Sequence, residues 1–219
     1  MAREHHIAVT THGHYLEEPA DGPVSAGLLM GFHGYGENAA ASLAALGTIP
    51  GAQAWTRCAI QGLHLFYRQS TGEVVGSWMT RFGREQAIRD NVAYTGAVLT
   101  QLEGRLLGPR PRVLVGFSQG VAMVYRTAAF SGHSVDGLVV LAGDVPPDLG
   151  DGDLARLPPI LLGQGEEDQW YDPAKLEADL GRLEGAGARV QVCRFAGGHE
   201  WAEPFLIAAG DFLRALAGD

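Results

Sequence analysis

Short apolar runs alternate with longer amphipathic patterns along most of this chain. The runs are nearly continuous in apolar residues, which is typical of strands that are buried on both faces of a sheet. Each run is followed by a stretch with turn residues and then, in most cases, by a helical pattern. The predicted strands span residues 27–32, 56–60, 112–116, 138–142, 160–163 and 190–195.

The helical patterns lie between these strands. In the pattern over 84–107, Ile88, Val92 and Leu102 recur at helical spacing, which indicates one buried face. The strand–helix alternation predicts an α/β fold with a mostly parallel sheet and helices on both faces. A weak alternation over 7–16 predicts an antiparallel hairpin at the sheet edge. The other predicted helices span 119–130, 173–184 and 202–216.

Composition and charge narrow the class of protein. A chain of 219 residues with 46% hydrophobic and 19% charged residues predicts a single folded domain over 1–219. The net charge of -9 opposes binding to nucleic acid and to anionic membranes. No apolar stretch has the length of a signal-peptide core or a membrane span, so we expect a cytoplasmic protein without membrane insertion. Cys58 and Cys193 are expected to be free buried thiols, although one disulfide is possible.

The strongest chemical signal is a G-x-S-x-G motif at 116–120, with Ser118 at its centre. It lies between a predicted strand and a predicted helix, the setting in which this motif carries a nucleophile. The chain must turn sharply there to lift the serine hydroxyl above the sheet, and side chains at Gly116 and Gly120 are expected to collide with neighbouring elements. The start of the helix places N–H groups and a positive dipole end beside Ser118.

A second glycine-rich segment, His33-Gly-Tyr35-Gly, follows the first predicted strand. Its glycines allow the backbone to approach a substrate carbonyl and to direct an N–H group at it. We expect the backbone N–H groups of Tyr35 and Gln119 to form an oxyanion hole. His33 is expected to hold this loop by hydrogen bonding rather than to act in catalysis, and Asn38 is expected to cap the helix that follows.

A serine nucleophile needs an imidazole base, and the base needs a carboxylate that fixes its tautomer. His199 follows the last predicted strand, whereas His133 lies in a loop after the nucleophile helix. Asp168 follows the strand before it. The chain order Ser118, Asp168, His199 matches the α/β-hydrolase fold rather than the chymotrypsin or subtilisin folds.

Other acids lie close to Asp168 in the sequence. Asp172 precedes a proline and is predicted to cap the next helix, while Glu166 and Glu167 are predicted to be solvated loop charges. The sequence therefore favours Asp168 without excluding these neighbours.

With these segments assembled, the sequence resembles the phospholipase/carboxylesterase family, which includes acyl-protein thioesterases and small bacterial carboxylesterases. The resemblance implies a single-domain α/β-hydrolase fold without a large cap domain, and a metal-free hydrolase of carboxylic esters or thioesters. Four features depart from the family pattern, namely Val121 after the motif, Gln164 early in the acid loop, Gln169-Trp170 after its aspartate, and the segment 65–84, which only loosely matches the family's tryptophan-containing loop. The matching segments are HGYGEN at 33–38, GFSQG at 116–120, LAGDVP at 141–146, GQGEED at 163–168 and GGHEW at 197–201.

Aromatic and apolar loop residues supply candidates for the substrate pocket. Phe66, Trp78, Met79 and Trp170 are predicted to line it, although each is also a candidate for covering the core. The N-terminal histidines lack the spacing and the partner ligands of a convincing metal site, so no metal or cofactor is expected.

These features predict a serine hydrolase that acts on a small-molecule ester through an acyl-enzyme, with thioesters as an alternative substrate class. An acyl transferase or a peptidase would use the same triad. A protein of another class, one that binds a small ligand without turnover, is the further alternative. The oligomeric state is expected to be a monomer or a homodimer.

Overall fold

A sheet of seven strands forms the centre of the computed structural model, which describes residues 2–106 and 108–218. The strand order is β1-β3-β2-β6-β7-β8-β9, and all neighbours are parallel except β1, which pairs antiparallel with β3. A separate antiparallel pair, β4 and β5, lies between β3 and the next helix. The strands are β1 Tyr15–Glu18, β2 Leu28–Phe32, β3 Thr56–Ile60, β4 His64–Tyr67, β5 Val74–Ser77, β6 Arg112–Phe117, β7 Gly137–Leu141, β8 Ile160–Gly165 and β9 Val190–Phe195.

Helices cover both faces of the sheet because the strand side chains alternate between two cores. Leu28, Met30 and Leu114 belong to one buried cluster, whereas Leu29 and Val113 belong to the other. The first cluster is covered by α2, α3 and α5, and the second by α1 and α6. The helices are α1 Ala39–Thr48, α2 Arg84–Glu103, α3 Gln119–Phe130, α4 Asp151–Leu154, α5 Pro173–Gly185 and α6 Glu203–Ala217, with a short 3₁₀ turn at Ala52–Ala54.

The α/β prediction is confirmed, and the differences are local. The predicted strands and helices agree with the structure to within two residues, except that the helix predicted over 84–107 ends at Glu103, and Leu107 lies outside the described residues. The predicted edge hairpin over 7–16 is wrong, because only Tyr15–Glu18 forms a strand there. It pairs antiparallel with β3 and leaves 2–14 irregular.

Helix starts follow the capping residues that the sequence offers. The Asn38 side chain accepts a hydrogen bond from the Ala41 N–H at 2.9 Å. Asp172 accepts one from the Lys175 N–H at 2.9 Å and is followed by proline at the first helical position. Both side chains therefore have the structural roles that the sequence predicts.

Both cysteines are free, with Cys58 buried and Cys193 half-buried. In the part of the chain that the structure describes, no helix combines the length and the apolar character needed to cross a bilayer.

Candidate active site

The nucleophile turn joins β6 to α3 and holds Ser118 in an unusual backbone conformation, with φ 52° and ψ −122°. Non-glycine residues rarely adopt a positive φ, so the turn must be fixed by its surroundings. The Ser118 N–H donates to the Leu141 carbonyl of β7 at 2.9 Å. A Cβ at Gly120 would lie 2.2 Å from the Phe32 carbonyl oxygen, and one at Gly116 would lie 2.6 Å from Val124. The expected collisions at both glycines are therefore present.

Three residues from distant parts of the chain form one hydrogen-bonded series. His199 Nε2 lies 2.8 Å from the Ser118 hydroxyl oxygen, and His199 Nδ1 lies 2.7 Å from Asp168 Oδ2. Phe117 lies against the imidazole with a ring-centroid distance of 4.9 Å, which limits its rotation. This geometry lets Nδ1 donate to the carboxylate while Nε2 accepts the serine proton.

The Asp168 carboxylate is buried, and hydrogen bonds to both of its oxygens fix its orientation. Its relative exposure is 3%, and its second oxygen, Oδ1, accepts backbone N–H groups from Trp170 at 2.7 Å and Tyr171 at 2.9 Å. Glu166 and Glu167, the other candidate acids at this strand end, are exposed. The structure thus places Asp168, and not its acidic neighbours, against the imidazole.

The loop after β2 passes Ser118 at Gly34, whose Cβ position lies 3.3 Å from the Ser118 Cβ, and it leaves one N–H group without a partner among the described residues. The Gly34 N–H donates to Glu37 Oε2 at 2.7 Å, and the Gly36 N–H donates to the Gly76 carbonyl of β5 at 2.9 Å. The Glu37 N–H donates back to Gly34 at 3.2 Å. Among the residues that the structure describes, none accepts a hydrogen bond from the Tyr35 N–H. The Gln119 N–H is the first of α3 and has no intrahelical partner.

His33 has a structural role in this loop. The side chain is buried, its Nδ1 lies 2.7 Å from the Gly34 carbonyl, and its Nε2 accepts the Gly62 N–H at 2.9 Å. These partners require a neutral imidazole with its proton on Nδ1. Burial lowers the pKa of His33 below its ordinary value, which agrees with the neutral form.

The Gln119 side chain makes a connection that the sequence does not reveal. Its Oε1 accepts the Trp78 N–H at 2.9 Å and the Ser77 hydroxyl at 3.1 Å. Its Nε2 donates to the Met79 carbonyl at 3.1 Å. The segment after β5 is therefore tied directly to the nucleophile turn. The sequence shows a glutamine after the motif serine, but the residues that it binds lie about forty positions earlier, so no local pattern identifies them.

A cavity of about 590 Å³ opens beside Ser118 and His199. It lies between α3, α5, the loop after β7 and the loop after β8. Two of the predicted pocket residues, Met79 and Trp170, line it. Its wall comprises Met79, Arg84, Ser118, Gln119, Ala122, Ala142, Gly143, Asp144, Val145, Pro146, Pro147, Trp170, Tyr171, Lys175, Ala178, Asp179 and His199.

Two other predicted pocket residues lie elsewhere. Trp78 is fully buried in the core, where its ring packs against Phe32 and its Nε1 donates to the His33 carbonyl at 2.8 Å. We therefore assign Trp78 to the core and not to substrate contact. Phe66 lies on β4 outside the cavity wall, 5.5 Å from the Tyr35 ring centroid, where it supports the loop. Val121, at which the sequence departs from the family pattern, is fully buried and does not line the cavity.

An ion pair joins α3 to the loop after β7. Arg126 of α3 is fully buried, and its guanidinium donates to both carboxylate oxygens of Asp148, with a distance of 2.9 Å from Nε to Oδ2. Its hydrogen bonds hold the pKa of Asp148 below the usual range. Arg126 also contacts the Met79 sulfur at 3.4 Å, so the ion pair restrains a residue of the cavity wall.

No group of three or more His, Cys, Asp or Glu residues in 2–106 and 108–218 is placed to hold a metal ion. The N-terminal histidines His5 and His6 instead line a surface depression with Phe82 and Asp90.

Solved structures resemble this chain over most of its length. Esterase PE8 has a TM-score of 0.75 and 23% sequence identity, over 94% of this chain and 100% of that chain. The Zea mays acyl-protein thioesterase 2 has a TM-score of 0.74 and 16% identity, over 94% and 100%. The Bacillus cereus carboxylesterase has a TM-score of 0.74 and 16% identity, over 93% and 94%. No protein-family model and no curated protein matches the sequence. Together with the strand order and the nucleophile turn, these similarities show that the chain has the α/β-hydrolase fold.

Proposed function

We propose that this protein is a serine hydrolase that cleaves carboxylic esters through an acyl-enzyme, with thioesters as a second substrate class. The observation that carries the proposal is the hydrogen-bonded series Ser118–His199–Asp168, with contacts of 2.8 and 2.7 Å at the wall of an open cavity. The solved structures that share the fold include esterases and a thioesterase, which supports the same reaction class.

In the first step, Ser118 Oγ attacks the ester carbonyl carbon while His199 Nε2 takes the hydroxyl proton. Asp168 stabilises the imidazolium that forms, because its carboxylate is negatively charged and accepts a hydrogen bond from the His199 Nδ1–H group. The tetrahedral oxyanion lies against the Tyr35 and Gln119 N–H groups. Its collapse breaks the bond to the leaving alcohol or thiol, which receives the proton from Nε2.

Deacylation repeats this chemistry with water as the nucleophile. His199 removes a proton from the water, the hydroxide adds to the acyl carbon, and collapse returns the proton to Ser118. The carboxylic acid product then leaves through the same cavity. With an alcohol or amine in place of water, the same steps would make the protein an acyl transferase, so analysis of the products with such acceptors present separates the two.

The strained turn favours catalysis over passive ligand binding. A positive φ at a serine costs about 1 to 3 kcal/mol and persists where the surrounding structure enforces it. At Ser118 it directs the hydroxyl to the imidazole, and this hydroxyl has no other hydrogen-bond partner among the described residues. A binding protein without turnover would gain nothing from this conformation.

The first test is labelling with a fluorophosphonate probe, peptide mass spectrometry, and assays with p-nitrophenyl esters of graded acyl length. We expect the label on Ser118, and a fall in kcat of at least about ten-thousandfold in Ser118→Ala. Ser131→Ala, at the end of the same helix, is the matched control and should keep wild-type turnover. Unlabelled but folded protein without ester turnover would overturn the proposal in favour of a ligand-binding protein.

Two further expectations stay predictions. A cytoplasmic location is one, and a monomer or homodimer without nucleic-acid partners is the other. Fractionation of cells and light scattering of the purified protein test them.

A further inference from the structure

One wall of the cavity carries a buried carboxylate that the proposed reaction does not use. Asp179 of α5 has a relative exposure of 6% and lines the cavity on the same helix face as Lys175 and Ala178. Its Oδ2 accepts two hydrogen bonds, from the Val145 N–H at 2.9 Å and from the Tyr171 hydroxyl at 3.1 Å. These contacts fix the carboxylate in place.

The second oxygen, Oδ1, is free to take a ligand. None of the residues that the structure describes donates a hydrogen bond to it. Its nearest cation is the Arg182 guanidinium, whose Nη1 is 4.0 Å away. That guanidinium donates instead to the carbonyls of Val145, Pro146 and Leu149, at 2.8 to 3.1 Å. Oδ1 is therefore open to the cavity on a side chain that is otherwise buried, and a ligand that supplies a donor there gains a hydrogen bond in a largely desolvated site.

The other charges of the cavity lie at its rim. Arg84, Asp144 and Lys175 are all exposed. Lys175 Nζ donates to the Trp170 carbonyl at 2.6 Å and lies 3.6 Å from Asp144, so this pair is already compensated. Burial, with Asp144 nearby, raises the pKa of Asp179 above its ordinary value, and Arg182 at 4.0 Å offsets only part of this effect.

We infer that the cavity recognises a hydrogen-bond donor at the end of the substrate's acyl chain, an ammonium or a hydroxyl group, through Asp179 Oδ1. This inference rests on the proposed ester hydrolysis and narrows its substrate class to polar acyl esters rather than long alkyl esters. An ammonium group is the better ligand of the two, because a charge-assisted hydrogen bond is about twice as strong as a neutral one. Tyr171 and Val145 act as positioning groups, since each holds Oδ2.

The test compares p-nitrophenyl esters whose acyl groups have the same shape. β-Alanyl is matched with butanoyl, ω-aminohexanoyl with heptanoyl, and the ω-hydroxy analogues separate the two donor sources. We expect kcat/KM for the better of the two amino esters to exceed that of its alkyl match by about tenfold, the contribution of one charge-assisted hydrogen bond, with the hydroxy ester in between. Equal rates or a preference for both alkyl esters would overturn the inference.

Variants locate the preference on one atom. Asp179→Asn keeps an acceptor for Val145 and Tyr171 and replaces the free carboxylate oxygen by an amide donor, so the amino-to-alkyl ratio should fall about tenfold. Glu177→Gln is the matched control on the same helix, because Glu177 is paired with Arg194 at the surface and lies outside the cavity wall. An unchanged ratio in Asp179→Asn would overturn the assignment to this residue.

A binding measurement keeps this inference separate from the proposed reaction. NMR titration of the Ser118→Ala protein compares ω-aminohexanamide with heptanamide, neither of which needs turnover. Tighter binding of the amine, with shifts at Asp179, supports the inference even where no ester is cleaved. Ester turnover without that preference would leave the proposed function intact and overturn the inference.

Discussion

The nucleophile turn and the oxyanion loop lie side by side at the ends of β6 and β2, but they are held by different means. The turn is fixed by the backbone, through the Ser118 N–H to Leu141 bond and the close approach of Gly120 to the Phe32 carbonyl. The loop has a backbone bridge to β5 at Glu37 and Gly76, but its first residues are held by side chains, since Glu37 binds Gly34 and His33 binds Gly34 and Gly62.

This difference decides how each part responds to change. A site that is fixed by main-chain packing tolerates almost no added atom, because backbone atoms cannot rotate away. A site that is held by side-chain hydrogen bonds loses position gradually as single bonds are removed. Damage to the turn should therefore appear as lost stability, and damage to the loop as lost rate.

The largest effect is expected for Gly120→Ala. The added Cβ would lie 2.2 Å from the Phe32 carbonyl oxygen and 2.7 Å from that of His33, so β2 and the loop must shift away from α3. We expect a loss of about 3 kcal/mol in the free energy of unfolding, measured by urea denaturation. Gly181→Ala in α5 is the control, because nothing lies within 4 Å of its Cβ position. It should stabilise the protein by about 0.5 to 1 kcal/mol through helix propensity. Equal effects at the two positions would show that the turn is not sterically fixed.

A smaller effect, on rate, is expected for Glu37→Ala. Loss of the 2.7 Å bond to the Gly34 N–H lets the neighbouring Tyr35 N–H drift from the oxyanion position. We expect kcat on p-nitrophenyl acetate to fall about tenfold with KM nearly unchanged, since the lost contact acts in the transition state.

The conservative variant separates positioning from folding. Glu37→Gln keeps an acceptor for Gly34 and should recover most of the rate. Glu85→Ala, at an exposed site on α2, should leave the rate unchanged. A loss of rate in Glu37→Gln as large as in Glu37→Ala would contradict the positioning role.

The smallest effect is a pH dependence of stability that arises from His33. Its pKa in the folded protein lies below the ordinary 6.5, so at lower pH the unfolded chain binds a proton that the folded protein lacks. Stability is therefore complete above about pH 7 and falls as the pH drops below about 6.5, by at most about 1.4 kcal/mol per pH unit. His33→Asn should be less stable at neutral pH but should lose this slope. His64→Asn, exposed on β4, should keep it, and an unchanged slope in His33→Asn would refute the assignment.

The same division explains what could be predicted from the sequence. The motif around Ser118 is local, because a strand, two glycines and a helix must adjoin within a few residues. Asp168 and His199 follow from their places after the last two parallel strands, whose carboxyl ends share one edge of the sheet. The strands themselves were predictable because central strands such as Arg112–Phe117 and Ile160–Gly165 are buried on both faces.

Features that depend on which face of an element meets another could not be predicted. The sequence predicts Trp78 in the pocket because loop aromatics often line one, and no sequence signal reveals that its indole donates to the His33 carbonyl. The β4–β5 pair was missed because its strands are only four residues each and only half apolar. The position of Asp179 in the cavity wall could not be predicted either, because helix periodicity does not show which element packs against α5.

The tie made by Gln119 has a practical consequence for directed evolution of substrate range. The Gln119 backbone belongs to the nucleophile turn, and its side-chain amide forms hydrogen bonds with the segment that carries Met79. Substitutions on that side of the cavity are therefore expected to displace Gln119 and the nucleophile turn. A change in substrate range will then be accompanied by a change in kcat. Ala178 of α5 also lines the cavity but has no polar side chain that could bind the triad, so libraries placed at this position can alter selectivity with less effect on the catalytic geometry.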